Sequence, residues 1–264
     1  MSGAARVTRA ETDAGKRGRS REVTATIRPY RPEDREAVRD IARRTAYRNR
    51  GSAAIFEDDE LFADYWTRYY TDFEPESCLI LEDEGRVIGY LLGTVDARRQ
   101  QRIMTRRIVP GILARALWRL ATFQYRKRST RLMLWWLVSR GWREEPHVPL
   151  DKYPAHYHCN ILREGYGKGY YTAMALQFLD RLDALGVTGL HGQVEEAETG
   201  GPWRQMVDVY FQTKTSFLDH FAEKPSTFQA YVLGNEKKMV NRAFGGNVAD
   251  YRDWLVWMGK KYHM

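Results

Sequence analysis

The stretch that decides the fold is ILREGYGKGYYTAMALQFLDRLDALGV, residues 161–187. Its glycine-rich part, Gly165-Tyr166-Gly167-Lys168-Gly169, follows residues 155–162, AHYHCNIL, whose alternation of polar side chains is typical of a strand. Leucine and methionine at helical spacing then fill 170–185, and Gly186 stands where glycine commonly ends a helix. The stretch therefore predicts a β–turn–α unit.

A glycine-rich turn of this kind suits a phosphate. The first amide N–H groups of a helix lack intrahelical partners and, with the positive end of the helix dipole, attract an anion. The Walker phosphate-binding pattern is absent because no Lys-Ser/Thr pair follows the glycines. A Rossmann site is also a poor match, since this turn follows the fourth strand and not the first. The alternative is an ordinary strand-to-helix turn.

Changes of hydrophobic period place the other elements. On the N-terminal side we predict strands at 24–28, 77–82 and 86–95, and helices at 33–42, 57–72 and within 106–142. On the C-terminal side we predict a strand at 188–194, parallel to the one before the glycines, then a helix at 203–212, an antiparallel strand pair at 216–222 and 227–233, and more helix in 235–264. This order predicts one mixed α/β sheet, antiparallel at both ends with a parallel pair in the middle.

The composition is that of a globular protein, with 264 residues, 43% of them apolar and 13% aromatic. Cys78 and Cys159 are too few for a disulfide framework and lack metal-binding spacing, so we expect buried free thiols and no metal. Residues 1–23 contain no apolar signal core, and no apolar run reaches the ~18 residues of a membrane span. We therefore expect a cytoplasmic protein.

The domain organisation follows from the same observations. We expect a disordered basic tail at 1–23 and a single domain at 24–234. Within that domain, 96–152 is predicted to be a helical insertion that acts as a lid. Residues 235–264 are expected to form a C-terminal extension packed on the domain.

Positive charge is concentrated in one segment. Residues 97–143 carry thirteen Arg and Lys and no Asp or Glu, and the rest of the chain is net acidic although the whole carries +8. Such a segment suits nucleic acid, an anionic membrane surface, an acidic substrate or the phosphate of a cofactor. Because Trp118, Trp135, Trp136 and several leucines suggest amphipathic helices that pack on something, we favour a lid or a homodimer surface, and nucleic acid is not expected.

Four segments resemble one known family, the GNAT superfamily of N-acetyltransferases. Residues 161–187 resemble its acyl-CoA-binding motif, Gln/Arg-x-x-Gly-x-Gly/Ala, between the fourth strand and the third helix. TIRPYRPEDREAVRDIA (26–42) is similar to the family's first strand and helix, and LILEDEGRVIGYLLG (79–93) to its second and third strands. YPAHYHCNIL (153–162) further resembles the acetyltransferase-like branch related to O-GlcNAcase C-terminal domains. The resemblance implies a GNAT fold with a helical, Arg-rich insertion between the third and fourth strands.

Two registers align the chain with the motif. Gly167 and Gly169 on the two motif glycines place Glu164 at the Gln/Arg position. Gly169 on the first motif glycine instead places Tyr166 at the Gln/Arg position and Tyr171 at the last one, and this register keeps the family's helix length. The resemblance implies acetyl-CoA as the co-substrate, held by Ile161, Leu162, Tyr166, Gly167, Lys168, Gly169, Tyr170, Tyr171 and Thr172.

The reaction implied by the resemblance is direct attack of an amine on the acetyl thioester, with a general base and a general acid. The family often takes its acid from a Tyr on the helix after the fifth strand, and Tyr210 resembles that residue. A core aromatic on an amphipathic helix is the alternative for Tyr210.

The candidate bases lie on two strands. His156, His158 and Asn160 share one face of the fourth strand by alternation, and histidine titrates close to neutrality. Glu195 and Glu196 end the fifth strand and are rival bases. We expect His158 to act as the base, then Glu195, and we expect a structural role for His191.

Three functions are compatible with the sequence. The first is an N-acetyltransferase that moves an acetyl group from acetyl-CoA to the amine of a small molecule. The second is a GNAT-fold binder of acyl-CoA or acyl carrier without transfer activity, since the turn lacks the motif's Gln/Arg. The third is an interaction module that uses the Arg-rich segment.

Overall fold

The computed structural model describes residues 25–201 and 218–262. Its strands are β1 (Thr26–Pro29), β2 (Cys78–Asp83), β3 (Arg86–Thr94), β4 (His156–Ile161), β5 (Gly189–Ala197), β6 (Leu218–Ser226) and β7 (Met239–Asn247). Its helices are α1 (Arg35–Asn49), α2 (Asp59–Phe73), α3 (Ala97–Ile103), α4 (Val109–Ala121), α5 (Arg128–Ser139), α6 (Tyr170–Ala184), α7 (Phe228–Leu233) and α8 (Val248–Tyr262). A π-helical turn, Met104–Ile108, joins α3 to α4.

These strands form two sheets where the sequence predicted one. The first has the order β1-β2-β3-β4 and the second β5-β7-β6, both antiparallel. One parallel bridge, between Ala155 and Leu190, joins β4 to β5. The predicted parallel relation of these two strands is therefore confirmed. The prediction of a single continuous sheet is wrong. Side-chain alternation shows that a strand exists but does not show which of its edges is hydrogen-bonded to a neighbour.

Helices cover both faces of the four-stranded sheet. On one face, Phe178 and Leu182 of α6 and Trp254 of α8 pack in a buried cluster with Leu81 and Leu91. On the other face, residues of α1 and α2 such as Ile41 and Tyr69 pack against Ile80 and Tyr90. Apolar stripes predicted on these helices thus become the two layers that sandwich the sheet.

The sequence misassigned the C-terminal part. Residues 227–233 were expected as a strand but form α7, which ends on Gly234 in the left-handed conformation at φ 66°. The helix expected in 235–264 is present as α8, but the segment also supplies β7, the middle strand of the second sheet, which the sequence analysis did not predict. Because β7 is largely buried on both faces, its sequence shows no polar alternation to mark it as a strand.

Three helices and a π-turn occupy the chain between β3 and β4. Met104 and Ile108 pack with Ile41 in the core beneath α1, so this segment adjoins the four-stranded sheet. Within 25–201 and 218–262, no helix is long and apolar enough to cross a membrane.

Candidate active site

The junction of the two sheets shapes the candidate site. His191 N–H donates to the Ala155 carbonyl at 2.8 Å, and Ala155 N–H lies 3.4 Å from the Gly189 carbonyl. Beyond this bridge β4 remains in the first sheet and β5 in the second, so the two strands separate. Parallel strands that separate in this way leave a slot between their edges.

The open edge of β4 presents backbone donors to this slot. Leu162 N–H donates to Ile88 of β3 at 2.8 Å, whereas Ala155 N–H points towards β5. Since backbone groups alternate in direction along a strand, the N–H groups of Tyr157, Cys159 and Ile161 point to the slot. They lie at successive steps of about 7 Å from the glycine-rich turn towards the junction.

The glycine-rich turn stands at the far end of the slot. Gly167 and Gly169 have φ of 69° and 78°, a conformation that favours glycine. A Cβ built on Gly167 would meet nothing within 4 Å, so the turn is open on that side. Gly169 is the N-cap of α6, and the first intrahelical bond is the one Ala173 donates to Gly169 at 3.0 Å. The amides of Tyr170 and Tyr171 precede that bond and suit an anion such as a pyrophosphate.

The other predicted turn residues divide between the turn surface and the interior. Lys168 is exposed, and Tyr166 is exposed with its hydroxyl 3.1 Å from the side-chain nitrogen of Asn49. Leu162 is buried, and its carbonyl accepts from Gly165 at 2.9 Å. Because its N–H is also engaged in the sheet, Leu162 shapes the turn and has no free amide for a ligand. Thr172 lies in the first turn of α6.

Tyr171 turns away from the glycine-rich turn. Its hydroxyl lies 3.0 Å from that of Tyr157, which in turn lies 2.8 Å from that of Tyr251 on α8. Burial raises the pKa of all three phenols, so they stay protonated and bonded to one another. The bulky residue at the motif's last position therefore fills the core and leaves the turn open.

On the face of β4 and β5 opposite to Tyr157, the side chains beside the slot are polar. By alternation this face carries His156, His158 and Asn160 from β4 and His191, Gln193 and Glu195 from β5. The predicted sharing of one face is confirmed for the histidines, because the ring centres of His156 and His158 are 5.7 Å apart and those of His156 and His191 are 4.8 Å apart. Among the described residues, no group of three or more His, Cys, Asp and Glu is arranged to hold a metal ion.

Two of the three histidines have identified hydrogen-bond partners. His191 Nδ1 donates to the Tyr153 carbonyl at 2.7 Å, because a carbonyl can only accept. This bond gives His191 the structural role that the sequence predicted for it. His156 Nε2 lies 3.0 Å from the Tyr70 hydroxyl, and its buried Nδ1 has no partner in the described part of the chain.

Burial controls the charge of this cluster. It lowers the pKa of His158 to about 4 and that of His156 well below its usual value, helped by the neighbouring histidines. His158 is therefore unprotonated at neutral pH, which is the form that accepts a proton.

We expect this cluster to make the protein acid-sensitive. The unfolded chain takes up a proton on His158 near pH 6.5, whereas the folded chain does so only near pH 4. As the pH falls through this window the free energy of unfolding should drop by on the order of 2–3 kcal/mol from His158 alone. Urea denaturation of wild type and His158→Gln at several pH values measures this slope.

A control variant separates titration from general damage. Gln193→Ala changes a residue of β5 on the same face as His158 without removing a titrating group. It should shift the free energy of unfolding by the same amount at every pH and leave its pH dependence unchanged. An equal pH dependence of wild type and His158→Gln would show that His158 does not contribute.

The two glutamates of β5 differ in availability. Glu196 is buried with Arg242, whose Nη1 lies 3.0 Å from its carboxylate, so it belongs to the interior and is wrong as a rival base. Glu195 is half-buried on the same face of β5 as His191. It accepts from the Ser226 hydroxyl at 2.5 Å and the Gln229 amide at 2.9 Å. Its carboxylate remains the acidic group of this face.

Aromatic side chains of α2, which the sequence predicted only as part of a helix at 57–72, line the cleft that this face of β4 and β5 borders. The ring of Trp66 on α2 meets that of His158 edge to face at 5.6 Å, and Tyr70 meets it at 5.8 Å. Tyr65 and Trp66 remain 43% and 41% exposed, although they belong to an aromatic-rich helix. The apolar period of α2 was the only sequence signal for them, and it does not distinguish a cleft wall from a core.

The end of α1 adds a further aromatic. Tyr47, Arg48 and Asn49 have φ of 50°, 59° and 64°, a run of left-handed residues that is uncommon without glycine. Burial and the charge of Glu195 raise the pKa of Tyr47 to about 12. Tyr47 thus lies near Glu195, and Asn49 reaches Tyr166. Backbone strain of this kind concentrates at functional sites.

One predicted catalytic residue lies outside the described residues. Tyr210, the candidate acid, falls in 202–217, between the two described ranges.

No protein-family model matches the sequence, and no curated protein matches it significantly. Among solved structures, SsHAT is similar, with a TM-score of 0.59 and 28% identity over 85% of this chain and 98% of that one. A putative acetyltransferase from Salmonella typhimurium, solved with its cofactor acetyl-CoA, has a TM-score of 0.42 and 12% identity over 85% of this chain and 94% of that one. A polyamine N-acetyltransferase from Drosophila melanogaster that catalyses the formation of N-acetylagmatine has a TM-score of 0.40 and 10% identity over 85% of this chain and 100% of that one.

The solved structures that the chain resembles are GNAT-type N-acetyltransferases. A TM-score below 0.5 supports no argument about this chain. Of these three structures, SsHAT is therefore the one whose similarity is informative about the fold. It confirms the mixed α/β architecture of the GNAT type that the sequence predicted.

Proposed function

We propose that this protein is an acetyl-CoA-dependent N-acetyltransferase that acetylates the amine of a small molecule. The observation that carries the proposal is the slot between β4 and β5, which leads from an open glycine-rich turn to a cluster of unprotonated histidines. An acyl-CoA has the matching chemistry, with an anionic pyrophosphate at one end of a long amide-containing arm and a thioester at the other. The closer kinship with the O-GlcNAcase-related branch, and a cytoplasmic location, are further parts of the proposal.

Acetyl-CoA supplies the acetyl group as a thioester. In the proposed complex the amides of Gly169, Tyr170 and Tyr171 bind its pyrophosphate, with Lys168 adding positive charge and Gly167 allowing close approach. The N–H groups of Ile161, Cys159 and Tyr157 bind the arm along β4. An arm that follows this edge ends beside His158, because alternation places that side chain between the last two donors.

We assign the proton transfers to two residues. His158 accepts the proton of the substrate ammonium, directly or through water, and the neutral amine then bonds to the acetyl carbon while the carbon–sulfur bond breaks. Tyr210 donates its proton to the departing sulfur and recovers one from the acetylated nitrogen, which becomes the neutral amide, while His158 releases its proton to solvent. Glu195 holds the substrate's positive charge and is the alternative base, and the aromatic wall of Tyr47, Tyr65 and Trp66 binds the rest of the molecule.

The turn provides a matched test of CoA binding. Gly167 and Gly186 both have φ of 69° and open space at the Cβ position, and they lie at opposite ends of α6. Valine strains either position equally, but only at Gly167 does it fill the space proposed for the pyrophosphate. Gly167→Val should therefore weaken acetyl-CoA binding about tenfold or more, while Gly186→Val leaves it unchanged. Isothermal titration calorimetry measures both.

Activity is tested by free-thiol release from acetyl-CoA with a panel of small primary amines. Turnover supports the transferase. Binding of acetyl-CoA without turnover would favour the non-catalytic binder, which the lack of a Gln/Arg residue in the turn suggests. Absence of binding to any acyl-CoA would contradict both.

A further inference from the structure

Ion pairs and apolar contacts hold helix α4 on the protein. Its two arginines keep 45% and 35% of their side chains exposed but reach back to carboxylates, since Arg115 bonds Asp64 at 2.6 Å and Arg119 pairs with Asp58. Both aspartates are buried, with 8% and 3% of their surface exposed. Together with Ala116, which packs in the apolar cluster beneath, these pairs fix which side of the helix faces out.

The outward side of α4 carries two large apolar side chains. Leu117 and Trp118 are 63% and 68% exposed, and the other exposed positions of the helix are Pro110, Gly111, Ala114, Arg115 and Ala121. A large exposed tryptophan beside an exposed leucine is unusual for a surface in contact with water only.

The loop and helix that follow extend this face. Phe123 is 88% exposed, and Trp135, Val138 and Trp142 are 62%, 62% and 65% exposed. Trp136, next in sequence to Trp135, instead turns inward and donates to the Thr227 hydroxyl at 3.1 Å. We call the exposed set Leu117, Trp118, Phe123, Trp135, Val138 and Trp142 the α4–α5 surface.

Positive charge surrounds the α4–α5 surface. Arg126 and Lys127 lie in the loop between its two halves, Arg128 begins α5, and Arg140 and Arg143 flank Trp142. No Asp or Glu occurs between 97 and 143. A second copy of this chain would bring an equally basic segment to the interface, so like charges oppose a homodimer through this surface.

We propose that the α4–α5 surface docks on an anionic lipid bilayer. Tryptophan and phenylalanine insert favourably at the level of the lipid headgroups, while arginine and lysine bind the anionic phosphates beside them. Because Trp136 on the same helix α5 meets Phe228 near the cleft, this orientation places the site beside the membrane.

The test is sedimentation of the full chain with sucrose-loaded vesicles. Vesicles of phosphatidylcholine and phosphatidylglycerol in equal proportion should bind the protein, and vesicles of phosphatidylcholine alone should bind it far more weakly. Added salt should weaken the binding to the anionic vesicles, because it screens the attraction.

Two variants and two matched controls test the residues. Arg126→Gln/Arg128→Gln removes two exposed charges and should lower the partition coefficient roughly fivefold for each charge. Lys237→Gln/Lys238→Gln removes two exposed charges before β7 and should bind like wild type. Trp118→Ala should lower partitioning about tenfold, whereas Leu185→Ala, at an exposed leucine after α6, should not.

Several outcomes would overturn the proposal. These are no binding to anionic vesicles, equal binding to both vesicle types, and equal losses in the variants and their controls. Concentration-dependent dimers in sedimentation velocity that Trp118→Ala abolishes would identify a second copy as the occupant. Circular dichroism of each variant checks that it is folded, as expected for substitutions at exposed positions.

Discussion

Replacing His158 with glutamine should lower kcat/KM for the acetylated amine about 100-fold, the size typical of losing a general base. Glutamine keeps a polar side chain of similar length but accepts no proton at neutral pH. The loss should appear in kcat, since the aromatic wall of Tyr47, Tyr65 and Trp66 is unchanged and the substrate still binds. Initial rates of thiol release over a range of amine concentrations separate the two constants.

The pH profile gives an independent readout of the same residue. Because burial lowers the pKa of His158 to about 4, its base form persists far below neutrality. With His158 as base, kcat/KM should fall only as the pH drops towards about 4. A limb near the ordinary histidine value, 6.5, would show that a different group accepts the proton.

Two further variants assign the result. His147→Gln replaces an exposed histidine outside the two strand faces and should retain wild-type activity. Glu195→Gln should raise KM for a cationic amine if Glu195 holds its charge. If Glu195→Gln instead causes the 100-fold loss and His158→Gln none, Glu195 is the base and our assignment is wrong.

The second large effect concerns folding. We expect Gly189→Ala to destabilise the protein by at least ~3 kcal/mol. A Cβ on Gly189 would lie 1.9 Å from the carbonyl oxygen of Lys152 and 3.2 Å from the Cα of Tyr153. Since backbone atoms cannot rotate aside, the chain leading into β4 would have to move away from β5. Urea denaturation measures the loss.

A second glycine serves as the control. Gly111 lies in α4 with nothing within 4 Å of its Cβ position and no positive φ. Gly111→Ala should leave the free energy of unfolding within ~1 kcal/mol of wild type, on the stabilising side. Comparable losses in both variants would show that the Lys152 contact does not fix the junction.

The site could be predicted from sequence only where it rests on local pattern. The β–turn–α unit at 155–185 follows from strand alternation, three glycines and helical spacing, all within one segment. The shared face of His156 and His158 follows from strand alternation. Tyr47 and Trp66 could not be predicted as cleft residues, because their approach to β4 and β5 depends on how α1 and α2 pack on the sheet.

The errors have the same origin. Glu196 and Glu195 are adjacent and chemically alike, and only the position of Arg242 on β7 makes the first an interior ion pair. Likewise, Arg115 and Arg119 look like solvated surface charges in sequence, yet both pair with buried aspartates, Asp64 and Asp58.

By itself, the sequence determined the mixed α/β class, the parallel relation of β4 and β5, and the phosphate-suited turn between β4 and α6. Each depends on residues close together in the chain, where periodicity and glycine geometry act. Only the tertiary structure decided that the sheet divides at Ala155, that β7 completes its second half, and that α4 presents Leu117 and Trp118 outward. These depend on strand edges and buried ion pairs between distant residues, and local pattern does not encode them.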